Sequence, residues 1–188
     1  MKLESNLPAP IFVLKDIFGR TIDLSLYKDK RVFIGFFRHA GCPFCNLRVH
    51  ALTKVYEELK VKGLEMIFFF ESKEAVLLRS IFHKEVSPIP LISDPEKKWY
   101  DAYGLENSGY KSAVSHITSF VQTAYQARKA GVPIHMMADG ESISTIPAEF
   151  LIDKGLIIKK VHYAQGLNDR INMDIVKGFA EDGRVGLV

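Results

Sequence analysis

The chain has 188 residues, 47% of them hydrophobic and 25% charged, with a formal net charge of +3, which fits an ordinary globular protein with ample material for a core. Its lysines and arginines are scattered among acids instead of forming a stripe, which argues against nucleic acid as a partner. Its apolar stretches are far shorter than the ~18 residues needed to span a bilayer and its N-terminus carries no apolar signal core, so we expect a cytoplasmic protein that binds neither nucleic acid nor membrane.

The N-terminal third predicts a hairpin followed by a strand and a helix. Strand-like residues at 11–14 and 21–24 are joined by a turn signal, which indicates an N-terminal β-hairpin. Residues 31–37 form a strongly apolar strand segment, and from about Pro43 the apolar residues recur at helical spacing. A strand therefore runs directly into a helix near residue 40.

The middle of the chain continues the alternation of strands and helices. Residues 64–70 read as a buried strand, 73–83 as one helix, and 90–93 as a further short strand. Asp94-Pro95 supplies an N-cap and a first-turn proline for a helix that ends at Gly104. Strands that alternate with helices predict a core built on a parallel sheet.

Residues at about 105–144 look like an insertion in a single domain that spans 1–188. Within it, we predict one amphipathic helix that ends at Gly131, and its apolar stripe consists of Val114, Ile117, Val121 and Ala124. Such a helix packs on its own core in most proteins, although it could also cover the active site or build a homodimer.

The C-terminal part predicts a hairpin and a last helix. Strands at 145–153 and 156–162 are separated by a tight turn at Asp153-Lys154-Gly155, so they should pair antiparallel. Met173, Ile175, Val176 and Phe179 mark a C-terminal helix.

The only two cysteines, Cys42 and Cys45, lie in Cys-x-x-Cys spacing at the predicted strand-to-helix junction. A helix N-terminus and a nearby cation both lower the pKa of a thiol, and Arg38 precedes the pair by four residues. Pro43 suits the first helical turn, where its missing N–H is no loss. Cys45 lies one turn further on the same side of the helix and can form a disulfide with Cys42. This geometry predicts Cys42 as the nucleophile and Cys45 as its resolving partner.

Two other interpretations of the pair remain open. Both cysteines could be small buried hydrophobic residues, or they could bind a metal together with His39 and His50. A structural zinc site needs four ligands, and the sequence has no second Cys-x-x-Cys or Cys/His cluster, so we expect no metal and no cofactor. His39 is also a candidate hydrogen-bonding neighbour of the thiolate, whereas His50 is expected to be a surface or packing residue.

Three segments of the sequence carry a family resemblance. The region from 7–10 to 31–37 is similar to the N-terminal hairpin and first core strand of peroxiredoxins. Residues 37–45, FRHAGCPFC, resemble the active-site segment of peroxiredoxin-like proteins, with an arginine four residues before a Cys-x-x-Cys, and 147–155 is similar to the strand pair that closes the active site. Over most of its length the chain thus resembles the redoxin group, the alkyl hydroperoxide reductase/thiol-specific antioxidant (AhpC/TSA) branch of the thioredoxin-like superfamily.

The resemblance implies an α/β thioredoxin-like fold with a central mixed sheet flanked by helices. The N-terminal β-hairpin would precede this sheet, and the helical insertion would come before the closing hairpin. Two departures from the family pattern bear on mechanism. Typical peroxidatic sites read Pro-x-x-x-Thr-x-x-Cys, where this chain has Gly35 and His39. Pro147 replaces an arginine of typical peroxiredoxins and resembles the proline that packs beside the thioredoxin disulfide.

The resemblance and the cysteine pair together imply a thiol-based antioxidant oxidoreductase. In the favoured hypothesis Cys42 reduces a hydroperoxide, Cys45 resolves the product and Arg38 holds the thiolate and polarises the peroxide. The alternative is thiol-disulfide exchange on a disulfide substrate, which the Cys-x-x-Cys spacing and Pro147 favour, and a third possibility is a metal-binding or interaction module. Both redox hypotheses require an external reductant of the thioredoxin, glutaredoxin or glutathione type.

Overall fold

The computed structural model describes residues 1–86, 88–105, 121–132, 141–142 and 144–186. Near the N-terminus, β1 (Val13–Lys15) and β2 (Thr21–Asp23) pair antiparallel in a separate two-stranded sheet. The predicted N-terminal hairpin is thus confirmed.

A five-stranded mixed sheet forms the centre of the protein. Its strands are β3 (Arg31–Phe36), β4 (Leu64–Phe70), β5 (Leu91–Ser93), β6 (Ala148–Asp153) and β7 (Ile157–Tyr163), in the spatial order β5-β4-β3-β6-β7. β3, β4 and β5 are parallel, whereas β6 pairs antiparallel with β3 and with β7. The helix α1 (Pro43–Val61) connects β3 to β4, as parallel neighbours require. This is the predicted α/β thioredoxin-like architecture.

Both faces of the sheet are covered, which explains why its central strands read as continuous apolar runs. Along β3, Phe33 belongs to one core cluster and Ile34 to the other. The first cluster packs the sheet against α1 and the C-terminal helix, Met173–Asp182, which the sequence predicts. The second cluster is rich in aromatic rings and includes Phe12 from the N-terminal segment and Tyr100.

The predicted single helix at 73–83 is wrong, because the chain forms two short helices there. α2 (Glu74–Arg79) and α3 (Ile81–Glu85) are separated by Ser80, whose backbone is extended at φ −84° and ψ 120°. Ser80 occupies the N-cap position of α3 without a side-chain capping hydrogen bond, and serine is less favourable in a helix interior than at a helix end. The apolar spacing carries no signal of this break.

The helix after β5 begins later than Asp94-Pro95 predicts. α4 (Lys98–Ala102) starts after Lys97, whose φ of +59° is left-handed and incompatible with a continuous helix from Pro95. The Asp94 carboxylate still accepts hydrogen bonds from the N–H groups of Lys98 and Trp99, at 3.2 and 2.8 Å. Asp94 therefore stabilises the start of α4 although it precedes the N-cap residue, Lys97, by three positions. Gly104 follows the helix with a φ of +69° and is the predicted stop.

The insertion is described only in part. The predicted stripe residues Val114 and Ile117 lie outside the described residues, while 121–129 are helical and are labelled α5. Val121 is 83% exposed, whereas Thr123 and Ala127 are buried. The predicted stripe is wrong at Val121 because the buried face of α5 carries these two smaller side chains instead.

The closing hairpin and the last helix are as predicted, apart from the start of the first strand. β6 begins at Ala148, three residues after the predicted start, because Thr145 turns its side chain to a buried carboxylate and Pro147 has no N–H to donate. Gly155, with a φ of +75°, makes the turn to β7, and Met173–Asp182 is α6. Among the described residues, no helix has both the length and the apolar character that crossing a bilayer requires.

Candidate active site

The two cysteines lie at the start of α1, just beyond the carboxyl end of β3. Cys42 is the N-cap residue of α1 and Pro43 its first helical residue, as the sequence predicts. Cys45 lies one turn further along, and both side chains are fully buried free thiols. The N–H groups of the first helical turn are therefore directed toward Cys42.

Arg38 contacts both sulfur atoms from the loop that joins β3 to α1. Its guanidinium Nη1 lies 3.6 Å from Cys42 Sγ, and its backbone N–H donates to Cys45 Sγ at 3.4 Å. Arg38 has no exposed surface. A permanent positive charge is thus fixed beside the Cys42 sulfur in a site without bulk water.

The surroundings make the two thiols unequal. Burial alone would raise the pKa of Cys42, but a hydrogen bond from the Cys45 side chain and the charge of Arg38 lower it to about 6, with smaller contributions from the Cys45 backbone and from Arg170. Burial and the interaction with Cys42 raise the pKa of Cys45 well above its ordinary value. At neutral pH the pair therefore holds one thiolate, on Cys42, and one thiol, on Cys45.

Hydrogen bonds from neighbouring elements fix the loop before Cys42. Ala40 N–H donates to the Ser72 hydroxyl at 2.7 Å, and the Asn46 side chain donates to the Ala40 carbonyl at 2.6 Å. The Tyr100 hydroxyl donates to the Phe37 carbonyl. These contacts hold the loop from the segment after β4, from α1 and from α4 at once, which positions Arg38 and Cys42.

His39 takes part in the site chiefly through its main chain. Its carbonyl accepts the N–H of Cys42 at 3.0 Å, while its imidazole Nδ1 lies 3.6 Å from a carboxylate oxygen of Glu141. The same Glu141 carboxylate accepts a hydrogen bond from the hydroxyl of Ser72. The side chain of His39 is thus directed toward Glu141.

A second buried carboxylate, Glu71, organises the segment that precedes Pro147. It accepts hydrogen bonds from the Thr145 hydroxyl at 2.7 Å and from the Ser142 N–H at 3.1 Å, and it pairs with Lys97 at 2.9 Å. Pro147 itself is buried and immediately precedes Ala148, which pairs with Phe36 at the end of β3. Pro147 therefore lies at the same edge of the sheet as the loop that carries Arg38.

The third buried carboxylate, Glu149, joins two arginines beneath α1. Arg48 contacts it through two hydrogen bonds of 2.8 and 2.9 Å, and Arg170 Nε lies 3.7 Å away. The backbone N–H of Ile171 donates to the same carboxylate at 2.9 Å. This cluster places the positive charge of Arg170 close enough to act on the pKa of Cys42.

The departure at Gly35 from the peroxidatic pattern has a structural explanation. Gly35 lies inside β3 and is paired on both sides, with Phe68 and with Glu149, so a proline there would remove an N–H from a central strand. A Cβ on Gly35 would lie 2.8 Å from the ring of Phe37, which also disfavours a larger residue. At the threonine position, His39 supplies a main-chain acceptor.

Sequence reasoning missed Glu71, Glu149, Arg48 and Arg170. Glu149 carries a detectable signal, because it is a charge in the interior of a strand that is otherwise apolar up to its last residue, and Glu71 follows a buried strand at the edge where parallel strands end. Arg170 offers no local signal, because it lies in a loop 128 positions after Cys42. Only the fold brings it to the site.

The metal hypothesis gains no support from the histidines. His50 packs its ring against Phe82, with a centroid distance of 6.5 Å, as expected for a packing residue. Within the described part of the chain, no group of three or more His, Cys, Asp or Glu side chains is arranged to hold a metal ion.

Comparisons with known proteins agree with a redox-active cysteine pair. A model of the AhpC/TSA family matches residues 6–161. The thiol-disulfide oxidoreductase ResA of Bacillus thuringiensis (strain Al Hakam) is 26% identical over 104 residues, which are 55% of this chain and 60% of that protein. The chloroplastic peroxiredoxin Q of Triticum aestivum is 30% identical over 104 residues, 55% of this chain and 48% of that protein. The chain thus matches about half of the length of these relatives.

The fold comparison covers nearly the whole chain. The crystal structure of peroxidoxin BcpB from Mycobacterium tuberculosis superimposes with a TM-score of 0.66 over 97% of this chain and 99% of that one, at 14% sequence identity. At this identity the likeness shows the fold alone. The sequence relatives divide between peroxiredoxins and thiol-disulfide oxidoreductases.

Proposed function

The chain belongs to the AhpC/TSA family of thiol-based oxidoreductases, and from this premise we propose that it reduces hydroperoxides. Cys42 is the attacking thiolate, Cys45 is the resolving cysteine and Arg38 stabilises the reacting charges. The observation that carries the proposal is the contact of 3.6 Å between the buried Arg38 guanidinium and Cys42 Sγ. We also propose that the protein acts in the cytoplasm, because a reducing compartment supplies the thiols that this chemistry consumes.

Arg38 supports peroxide reduction in particular. A nucleophile with a pKa of about 6 is ionised at neutral pH, and a guanidinium has several N–H donors in a rigid plane. While it stabilises the thiolate, Arg38 can also donate a hydrogen bond to the peroxide oxygen that leaves as an alkoxide. Stabilising the charge that develops on a leaving oxygen is a major source of catalysis in a buried site.

The reaction proceeds in two steps at the cysteines. The Cys42 thiolate attacks the terminal OH oxygen of the hydroperoxide, the O–O bond breaks, and the oxygen that bears the organic group leaves as an alkoxide that takes up a proton, so that Cys42 becomes a sulfenic acid. The Cys45 sulfur then attacks the Cys42 sulfur, water leaves, and a disulfide forms between them. Because the pKa of Cys45 is raised, its thiol proton is released during this second step.

A catalytic cycle requires an external reductant. Two thiols of a thioredoxin, glutaredoxin or glutathione type supply the electrons that break the Cys42–Cys45 disulfide by thiol-disulfide exchange. Assembly of this chain into a homodimer remains a prediction from the sequence.

Thiol-disulfide exchange is the second candidate function. It is supported by the direct contact between the two thiols, since a buried Cys45 beside Cys42 can resolve a mixed disulfide as readily as a sulfenic acid. Pro147, at the same edge of the sheet, and the similarity to ResA favour this reaction too.

The two reactions are separated by rapid mixing of the fully reduced protein with hydrogen peroxide, with cumene hydroperoxide and with oxidised glutathione. We expect both peroxides to consume thiols far faster than they oxidise free cysteine, and Cys42→Ser to abolish the fast phase. Peroxide rates equal to those of free cysteine, together with fast reaction of the disulfide, would assign the protein to exchange instead.

A further inference from the structure

A polar cavity of about 320 Å³ lies beside the first turns of α1, and its lining includes Phe44 but neither of the two buried cysteines. It opens between the first turns of α1, the helix α5 and the loop before α6, and its lining includes Phe44, Arg48, Gln122, Gln126, Asn168 and Arg170. Phe44 lies between Cys42 and Cys45 in the chain, so the cavity reaches the helical turn that carries the nucleophile. Its volume is at the lower end of the ~300–1,000 Å³ range of small-molecule sites.

The described lining of the cavity is positively charged. Arg48 and Arg170 share a single carboxylate, Glu149, which accepts two hydrogen bonds from Arg48 and lies 3.7 Å from Arg170 Nε. The other polar side chains in the described lining are the amides and a hydroxyl, which carry no charge. Within the described lining, one positive charge is therefore left over.

Arg170 has a donor that no described residue uses. Its side chain is 9% exposed, its Nη1 donates to the Asp169 carbonyl at 2.7 Å, and its Nη2 is buried without a hydrogen-bond partner in the described residues. Leaving a charged donor unpaired in a protein interior is unfavourable. An anionic oxygen in the cavity would satisfy this donor and balance the remaining charge.

On the basis of the peroxidase function proposed above, we infer that the cavity binds the carboxylate of an organic hydroperoxide that reacts with Cys42. The flat guanidinium of Arg170 matches a carboxylate, and a single unbalanced charge suits this monoanion better than a phosphate dianion. Phe44 and Leu47 offer apolar contact to the hydrocarbon part of such a substrate. Arg170 also lowers the pKa of Cys42, which agrees with its closeness to the reacting sulfur.

A matched pair of hydroperoxides tests this inference. Cumene hydroperoxide and its para-carboxylate derivative differ only by the charged group, so the ratio of their rate constants for oxidation of Cys42 reports recognition of the carboxylate. We expect wild type to prefer the carboxylate form by about tenfold or more, as a charge-assisted hydrogen bond allows. Arg170→Gln should bring the ratio close to one, and because both rates depend equally on the pKa of Cys42, the ratio cancels that effect.

Two further variants keep the test clear if Arg170→Gln fails to fold. Asn168→Asp places a carboxylate at an exposed position in the lining and leaves the Glu149 cluster intact, and it should lower the ratio by repulsion. Arg184→Gln is the control, because Arg184 is exposed and pairs with Asp182 at the C-terminus, so its ratio should equal that of wild type. A ratio near one in wild type, or one that Asn168→Asp leaves unchanged, would overturn the inference.

A carboxylate-bearing thiol reductant presents the same group, and a reduction assay separates the two sources. If glutathione reduces the disulfide faster than its diethyl ester in an Arg170-dependent way while the hydroperoxide ratio is one, the hydroperoxide assignment is overturned in favour of the reductant. Binding of the unreactive probe 4-isopropylbenzoate to reduced protein is measured by calorimetry, and we expect Asn168→Asp to weaken it. Slow reaction with every peroxide would contradict the proposed function, whereas a wild-type protein that reacts rapidly with peroxides but does not bind the probe would contradict the cavity assignment alone.

Discussion

The guanidinium of Arg38 lies 3.6 Å from the sulfur of Cys42, while the backbone N–H of the same residue donates to the sulfur of Cys45 at 3.4 Å. One residue thus contacts both cysteines, with a full positive charge directed to the first and a neutral donor to the second. Burial raises the pKa of both thiols, but the hydrogen bond from Cys45 and the charge of Arg38 lower that of Cys42, whereas the interaction with Cys42 raises that of Cys45 further.

Removing the charge of Arg38 should make Cys42 less acidic. In Arg38→Gln the thiolate loses its nearest cation, so we expect the pKa of Cys42 to rise from about 6 toward the ordinary value of a cysteine. Alkylation of Cys42 by iodoacetamide at pH 7 should then slow by about tenfold. The pH profile of alkylation, read by mass spectrometry of the Cys42 peptide, checks this.

Arg38→Lys and Arg79→Gln complete that experiment. Arg38→Lys keeps the positive charge, so the pKa of Cys42 should stay low in this variant. It therefore tests the role of the charge even if Arg38→Gln does not fold. Arg79 is an exposed residue of α2, and its variant should match wild type. An alkylation midpoint that stays near 6 in Arg38→Gln would contradict the role given to Arg38.

The low pKa of Cys42 predicts that the reduced protein becomes more stable as the pH rises. The folded thiol has a pKa of about 6, below the ~8.5 of an unfolded cysteine, so the unfolded state binds more protons between these values. This contribution is fully present above the unfolded pKa and is lost as the pH falls through the folded pKa. The difference in Tm between reduced wild type and Cys42→Ser should therefore shift in favour of wild type from pH 5.5 to 9, and a constant difference would contradict it.

Glu149 should be important for folding stability. Glu149→Gln removes the buried carboxylate that Arg48 and Arg170 share, and breaking a buried ion pair by removing one partner costs about 3–5 kcal/mol. Urea denaturation measures the loss. Glu181→Gln is the matched control, because Glu181 is an exposed partner of Lys62, and a loss for Glu149→Gln no larger than for the control would contradict the importance of the cluster.

Glu71 should hold the chain that leads to Pro147. Glu71→Gln weakens the contacts to Lys97, Thr145 and Ser142, so we expect faster amide hydrogen exchange in peptides that cover 144–147, with a loss of about 1–3 kcal/mol in stability. Glu74→Gln, at an exposed position of α2, serves as the control. Equal exchange in wild type and Glu71→Gln would show that this segment does not depend on the buried carboxylate.

The elements predicted correctly from sequence are those whose periodicity alone defines them. β3, α1 and β4 are long or strongly apolar, and the Cys-x-x-Cys with Pro43 marks the start of α1. The break at Ser80 and the late start of α4 escaped prediction because each depends on one backbone conformation, extended at Ser80 and left-handed at Lys97. Hydrophobic spacing contains no information on either.

The site could be predicted only as far as its local sequence reaches. Arg38, Cys42 and Cys45 lie within eight consecutive residues, so the local sequence is enough to predict that they lie close together, although Ser72 and Tyr100 fix the loop that carries Arg38. Glu149 and Arg170 join the site through the pairing of β6 with β3 and through the loop before α6, which are long-range contacts. Their effect on Cys42 is a property of the tertiary structure.

The most direct test of peroxide reduction uses the reduced Cys45→Ser variant with one equivalent of hydrogen peroxide, followed by mass spectrometry of the Cys42 peptide after trapping with dimedone. Without the resolving thiol, the reaction should stop at a sulfenic acid, so we expect rapid formation of the dimedone adduct on Cys42 and none in wild type, where Cys45 closes the disulfide. If Cys42 stays unmodified by peroxide but forms a mixed disulfide with oxidised glutathione, the central claim is contradicted and the protein is a thiol-disulfide exchange protein.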